Sequence, residues 1–142
     1  SSFVNSLVFY MRTLKAPPLR NADDADVIAG ENIFTQIGCV SCHMPSFTTA
    51  QSDVSALSYQ TFHPYSDFLL HDMGALLSDG YPEGDASGFE WRTPPLWGAG
   101  LAKDSQGGQL FLLHDGRANT FEEEISFHGG EATSRRSAYY AL

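Results

Sequence analysis

The chain has 142 residues, the size of one ordinary domain, and 42% of them are apolar, which is enough for a folded core. Its formal net charge of -9 argues against nucleic acid as a partner, because phosphate binding needs clustered cations. No apolar run approaches the roughly 20 residues that span a bilayer, so we expect no membrane span. We predict a single domain over residues 1–142.

At both ends the pattern indicates a cut within a secondary-structure element rather than a terminal segment that begins or ends the chain. No initiator Met or signal peptide precedes Ser1–Val4, which is already typical of a helix interior, and the chain stops abruptly within Tyr139–Leu142. We therefore expect a fragment of a longer protein, whose location must be inferred from its chemistry rather than from a leader.

Two helices are predicted near the start. Apolar residues at helical spacing favour a first helix from Phe3 to Leu14, which the proline pair 17–18 stops. A second helix, from about Ala25 to Ile37, follows a capping stretch at 21–24. It precedes Gly38, at a position where helices often end in a left-handed residue.

Residues 46 to about 100 lack helical periodicity and contain four prolines. An alternating run at Tyr59–Phe62 predicts a small strand, and Phe68–Leu70 predicts a short buried segment. Loops this long are unusual in a compact domain unless they serve a site. We expect them to wrap a cofactor that replaces much of the core.

The last third returns to helical patterns. Thr120 is a candidate cap for an amphipathic helix over Phe121–Phe127, whose first turn carries three glutamates that suit the positive end of the helix dipole. Glycines at 129 and 130 end it, and a further helix begins near Ala132.

The chemistry lies in the run Cys39-Val40-Ser41-Cys42-His43. Thiols one helical turn apart can each form a thioether with a haem vinyl group, and the following histidine can ligate the iron from the same side. We predict one covalently bound haem c, held by Cys39, Cys42 and His43. Haem attachment of this kind occurs outside the cytoplasm, which predicts a periplasmic or otherwise extracytoplasmic protein.

Two alternative interpretations of the cysteines stay open. A haem-free thiol redox pair would need a preceding strand and a βαβ context, which the pattern does not indicate. A zinc module would need two further ligands, and no second C-x-x-C or H-x-x-H pair supplies them.

The iron ligand opposite His43 is not decided by spacing. Met44 adjoins His43 and cannot reach the other face of the ring, and core packing explains Met11 in the first helix. The remaining candidates are His63, His71, Met73, His114 and His128.

Five runs occur together in a fixed order: GCVSCH at 38–43, PYSDFLLHDMG at 64–74, EWRTPPLWG at 90–98, LLHDGRA at 112–118 and FHGGEA at 127–132. They cover most of the chain from about residue 30 onward. In combination they resemble the bacterial dihaem cytochrome c peroxidase superfamily, and within it the dihaem oxidoreductases often labelled thiol oxidoreductases.

The resemblance implies two cytochrome c domains, each with a haem, one relaying electrons and the other meeting the substrate. With one C-x-x-C-H, this chain resembles one half, and we predict the C-terminal half. In the peroxidases a methionine after the H-D-G turn is the distal ligand, and that position falls here on His128. A relative that matures methylamine dehydrogenase has tyrosine there. The resemblance therefore implies His43/His128 coordination, with Met73 as the alternative distal ligand.

Other residues are candidates for the site, and each of them also has a structural interpretation. Arg92 is predicted to pair with a haem propionate, which the resemblance supports because peroxidases carry Arg or Lys there; a surface salt bridge is the alternative. Trp97, like Trp91, is a candidate for the porphyrin edge or for the side facing a second haem, against plain core packing. His71 and Asp72 are weak candidates for an acid/base pair near an open haem face, against a structural hydrogen-bonded pair.

We expect a mainly α cytochrome c-type fold with long haem-wrapping loops and little or no β structure. We expect it to transfer electrons as the bis-His haem domain of a periplasmic dihaem oxidoreductase. Its partners would be the second haem domain of the parent protein and a redox partner protein. A substrate-reactive haem domain, oxidising a thiol compound or reducing peroxide, is the main alternative. The Ca²⁺ ion found between the domains of peroxidases is not readable from this sequence.

Overall fold

The computed structural model describes residues 2–142, and Ser1, which the pattern assigned to a helix, lies outside that range. The described helices are α1 (Ser2–Arg12), α2 (Ala25–Gln36), α3 (Ala102–Ser105), α4 (Phe121–Ser126) and α5 (Thr133–Tyr139). The strands are β1 (Phe47–Thr48), β2 (Thr61–Phe62), β3 (Leu70–Asp72) and β4 (Glu90–Arg92). The predicted helices at both ends are therefore present, most of them slightly shorter than expected.

The prediction of a mainly α fold with little or no β structure was wrong. Helices, with the 3-10 turns included, account for 37% of the chain, and strands, with isolated bridges included, account for 10%, so the fold is mixed. β1 pairs with β2 and β3 pairs with β4, each pair as a two-stranded antiparallel sheet. The alternating run at Tyr59–Phe62 predicted a strand, and β2 lies within it. The other three strands have only two or three residues each and pair with segments distant in sequence, so no alternating pattern indicated them.

α2 brings the cysteine motif to its place. The Asp24 side chain caps the helix by accepting a hydrogen bond from the Asp26 amide at 2.8 Å, as the predicted capping stretch requires. Gly38 follows with φ at +86°, the left-handed conformation that glycine adopts without strain. The chain then enters a 3-10 turn over Cys39–Ser41. The C-x-x-C-H motif therefore begins directly after a capped helix.

α4 positions the second histidine of interest. The Thr120 hydroxyl accepts a hydrogen bond from the Glu123 amide at 3.0 Å, which confirms the predicted cap. After α4 the backbone amide of His128 still bonds the Ile125 carbonyl at 3.0 Å. His128 therefore continues the last turn of the helix, and the glycine pair comes next.

Apolar packing is sparse for a chain of this size. The accessible surface is 9823 Å², whereas a compact 15.5 kDa protein exposes about 7,200 Å² by the usual scaling. Among residues 2–142 the buried apolar side chains are Pro64, Leu77 and Ala118. The predicted buried segment at 68–70 is not buried, because Leu69 and Leu70 are 61% and 50% exposed. Backbone and polar side-chain hydrogen bonds therefore carry much of the order in the middle of the chain.

α1 lies apart from this arrangement. Its apolar side chains are exposed along its length, and Arg12 at its end pairs with Asp53. None of the helices within residues 2–142 combines the length and apolarity that a bilayer crossing requires.

The glycine pair after His128 lies directly against β3. A Cβ atom on Gly130, whose φ is +49°, would come within 2.1 Å of the Asp72 carbonyl oxygen, and one on Gly129 would come within 2.7 Å of the Met73 carbonyl oxygen. Both distances are far shorter than any real Cβ contact. The loop can rest on the strand end only because neither residue has a side chain.

We expect Gly130→Ala to destabilise the fold severely, because the new methyl group clashes with the Asp72 carbonyl as well as straining the backbone. Gly84→Ala is the matched control, since Gly84 has φ at +61° but open space around it. The loss of stability in this control measures only the cost of a Cβ atom in a left-handed backbone conformation, about 1–2 kcal/mol. Denaturant unfolding should show at least twice that loss for Gly130→Ala. Equal losses in the two variants would refute the close approach of the loop.

Candidate functional site

His43 is held as a neutral imidazole with one nitrogen free. Its Nδ1 lies 2.9 Å from the Tyr65 carbonyl oxygen, and because a carbonyl only accepts, Nδ1 must donate. Burial, the largest effect, lowers the pKa of His43 below its usual 6.5, so the ring is neutral at pH 7. Nε2 then keeps its lone pair, which is the form in which histidine binds a metal.

The segment that holds His43 also holds the cysteine motif. The Asp67 amide donates to the Cys42 carbonyl at 2.8 Å, and the Ser66 amide donates to the Met44 carbonyl at 3.1 Å. Ser66 is fully buried, and its hydroxyl bonds the Thr93 carbonyl at 2.8 Å. Residues 65–67 thus anchor both the motif and the histidine ring.

His128 is held in the same way as His43. Its Nδ1 lies 3.0 Å from the Glu124 carbonyl oxygen, one turn back in α4, so Nδ1 donates and Nε2 is free. The ring centroids of His43 and His128 are 6.5 Å apart, with an angle of 36° between the ring planes. The structure therefore brings together the two histidines that the sequence paired, each with its Nδ1 occupied by a main-chain carbonyl.

This spacing suits a metal ion shared by both rings. Two imidazoles that bind one metal ion from opposite sides through bonds of about 2 Å have centroids roughly 6–6.5 Å apart. The observed 6.5 Å separation lies at the upper end of this range. The donor set and the spacing fit an iron held between the two residues.

The cysteines are poorly placed for the two haem-free alternatives. Both are free thiols of intermediate exposure, and burial raises the pKa of Cys39, whereas reactive thiol pairs depend on a lowered pKa. Among residues 2–142 the cluster suited to a metal ion is Cys42, Asp67 and His71, which leaves out Cys39 and falls short of the four ligands of structural zinc.

His71 and Asp72 do not form the pair that the sequence suggested. His71 Nε2 bonds Asp67 Oδ2 at 2.8 Å, and His71 Nδ1 bonds Glu131 Oε2 at 2.9 Å. The Asp72 carboxylate instead accepts from the Gly74 amide at 2.7 Å. His71 also lies beside the C-x-x-C-H motif, with its Nδ1 3.8 Å from Cys42 Sγ.

The other predicted site residues make contacts of their own. Met73 continues from β3, and its amide donates to the Phe89 carbonyl at 2.9 Å. Arg92 is exposed and opposite Leu70 in β4, on the sheet face away from His71 and its cross-strand partner. Trp97 donates from Nε1 to the His63 carbonyl at 2.8 Å. The roles given to Met73, Arg92 and Trp97 stay predictions.

Trp91 is the cross-strand partner of His71, and its ring stacks on His114 with centroids 3.7 Å apart and planes within 12°. Its Nε1 is buried without a hydrogen-bond partner among residues 2–142. A buried indole N–H ordinarily finds an acceptor. A haem propionate is an acceptor of the kind that this nitrogen needs.

Sequence reasoning missed the residues that support the two histidines. Tyr65 and Glu124 act through main-chain carbonyls, so their side chains carry no signal. Asp67 stands four residues before His71, a spacing that predicts contact only on a helix. Glu131 is 60 residues beyond His71, and no local pattern could pair them.

The comparison with known families agrees with this site. The family described as "Di-haem oxidoreductase, putative peroxidase" matches residues 1–142. The chain belongs to the di-haem oxidoreductase family. No curated protein and no solved structure shows a significant match to it. Membership confirms the resemblance seen in the sequence and implies a haem-binding oxidoreductase, and the residues at the site fit that group.

Two carboxylates bond His71 and shift its pKa, so the stability of the fold should depend on pH. The hydrogen bond to Glu131, and then that to Asp67, raises the pKa of His71 above 6.5. The stability gained from a raised pKa is fully present below the unfolded value and is lost as the pH rises through the folded value. We therefore expect the free energy of unfolding to fall above pH 6.5 through this residue.

Denaturant unfolding at about pH 6 and about pH 9 tests this expectation. The wild-type chain should lose more stability between the two values than His71→Gln, which has no titrating ring at this position. The same loss in both proteins would show that His71 does not carry the effect.

Proposed function

We propose that this chain is a c-type haem domain that transfers electrons, with its iron ligated by His43 and His128. The observation that carries the proposal is the 6.5 Å separation of two imidazoles whose Nδ1 atoms both donate to main-chain carbonyls. Cys39 and Cys42 would attach the haem through thioethers. The bound haem supplies the one-electron chemistry, and the chain's residues hold and tune it.

Electron transfer is favoured over substrate chemistry because His43 and His128 would both bind the iron. A site that binds peroxide or a thiol compound at iron needs one position open. Two imidazoles also give a lower reduction potential than a histidine and a methionine, because thioether sulfur favours ferrous iron. A low-potential electron carrier matches these properties.

The substrate-reactive alternative keeps one supporting observation, which is the peroxidase term in the family description. In that case His128 would have to leave the iron, or never bind it. His128 lies just beyond the last residue of a six-residue helix and is followed by two glycines, so its position depends on local contacts.

We infer the partner domain from the number of haem-binding motifs. The family description names two haems, and this sequence has one C-x-x-C-H motif. We therefore infer that the second haem is carried by another domain of the parent protein. The net charge of -9 suits a basic redox partner. Covalent haem attachment would support a periplasmic or otherwise extracytoplasmic location.

The absorption and EPR spectra of the purified haem protein test the ligation. We expect a six-coordinate low-spin iron without the sulfur-to-iron band near the red edge. His128→Met should introduce that band and raise the potential by on the order of 0.1 V, because a thioether replaces an imidazole. His128→Ala should give a high-spin ferric iron that binds cyanide rapidly.

His63→Ala is the control, because the His63 side chain is exposed and its carbonyl, not its ring, makes the bond to Trp97. Its spectrum should match that of the wild type. A methionine band in the unmodified protein would refute His128 as ligand, and rapid cyanide binding would favour the substrate-reactive alternative. A negative pyridine haemochrome test would refute haem attachment.

A further inference from the structure

His71 is held between two carboxylates that each take one of its ring nitrogens. The distances are 2.8 Å from Nε2 to Asp67 and 2.9 Å from Nδ1 to Glu131. A neutral imidazole has one N–H, and an ionised carboxylate can only accept, so two such bonds require both nitrogens to be protonated. His71 is therefore a cation, with its side chain 15% exposed and that of Asp67 6% exposed.

The two carboxylates belong to the segments that hold the two iron ligands. Asp67 follows Tyr65, whose carbonyl bonds His43, and its own amide bonds Cys42. Glu131 is three residues beyond His128. His71 thus links the segment of the proximal ligand to the loop of the distal ligand.

Glu131 is the polar tie between that loop and β3. Its Oε2 bonds His71, and its Oε1 accepts from the Asp72 amide at 3.0 Å. Within residues 2–142, these are the hydrogen bonds that join residues 127–131 to β3. Gly129 and Gly130 allow a close approach, because their backbone rests on residues 72–74, but their amides donate no hydrogen bond to the strand.

We propose that Asp67, His71 and Glu131 form a clamp that positions His128 against the iron and sets how readily it dissociates. The proposal rests on His128 being the distal ligand, as argued above. His71 touches neither iron nor substrate in this scheme, so it is a positioning residue that acts through Glu131. With the clamp broken, the loop loses its charged tie to β3 and His128 leaves the iron more often.

Cyanide binding to the ferric haem protein tests the clamp, because the external ligand must wait for His128 to leave. Glu131→Gln keeps an oxygen for the Asp72 amide but removes the negative charge that faces His71. We expect it to speed cyanide binding about tenfold or more, since a charge-assisted hydrogen bond is about twice as strong as a neutral one. Asp53→Asn is the matched control, an exposed carboxylate paired with Arg12 elsewhere, and its rate should not change.

Substitutions at His71 separate positioning from bulk stability. His71→Gln should also speed cyanide binding, and the double variant with Glu131→Gln should be little faster than either single variant, because both break the same link. His71→Arg keeps a cation with several N–H donors and should slow binding back towards the wild-type rate. That rescue would not be expected if the ring only filled space.

Two results would overturn the clamp. Unchanged cyanide rates in Glu131→Gln and His71→Gln would show that the pair does not position His128, even if thermal stability falls. Fully additive rate increases would show that the two residues act independently. A wild-type spectrum with methionine ligation or high-spin iron would instead refute the proposed function, before any clamp variant is measured.

Discussion

The hydrogen bonds that residues 65–67 make to the C-x-x-C-H motif are the constraint on which the rest of the site depends. One short segment fixes the tautomer of His43 and bonds the main chain on either side of it. Its central residue, Ser66, is buried and tied to Thr93, next to β4. The motif is therefore held against a segment more than 20 residues away, and not only by its own helix.

Much of what is local in this fold could be predicted from the sequence. The cap of α2, the left-handed Gly38 and the cap of α4 each depend on residues within four positions of one another, so composition and spacing indicate them. His128 was predicted from its family resemblance rather than from spacing, which left five candidates for the distal ligand. The structure places its ring next to that of His43.

The parts that sequence reasoning missed are non-local. β3 and β4 pair across a loop of 17 residues, with three residues in each strand, so neither strand has a pattern of its own. Phe68–Leu70 was predicted to be buried because it is apolar, but Phe68 has φ at +61° and the leucines face outwards. The partners of His71 were also missed, because Glu131 becomes its neighbour only when the loop after α4 rests on β3. Apolarity and spacing describe a segment, whereas these features depend on what packs against it.

The acceptors chosen by the two histidines have a consequence for the electronic properties of the site. Both Nδ1 atoms donate to neutral main-chain carbonyls rather than to carboxylates. A carboxylate would draw the proton and give the ring imidazolate character, making it a more basic ligand that favours ferric iron. With carbonyl acceptors, each ring stays a weaker electron donor. Moreover, a change of side chain at Tyr65 or Glu124 leaves the acceptor in place, so this setting is protected against substitution at the residues that provide it.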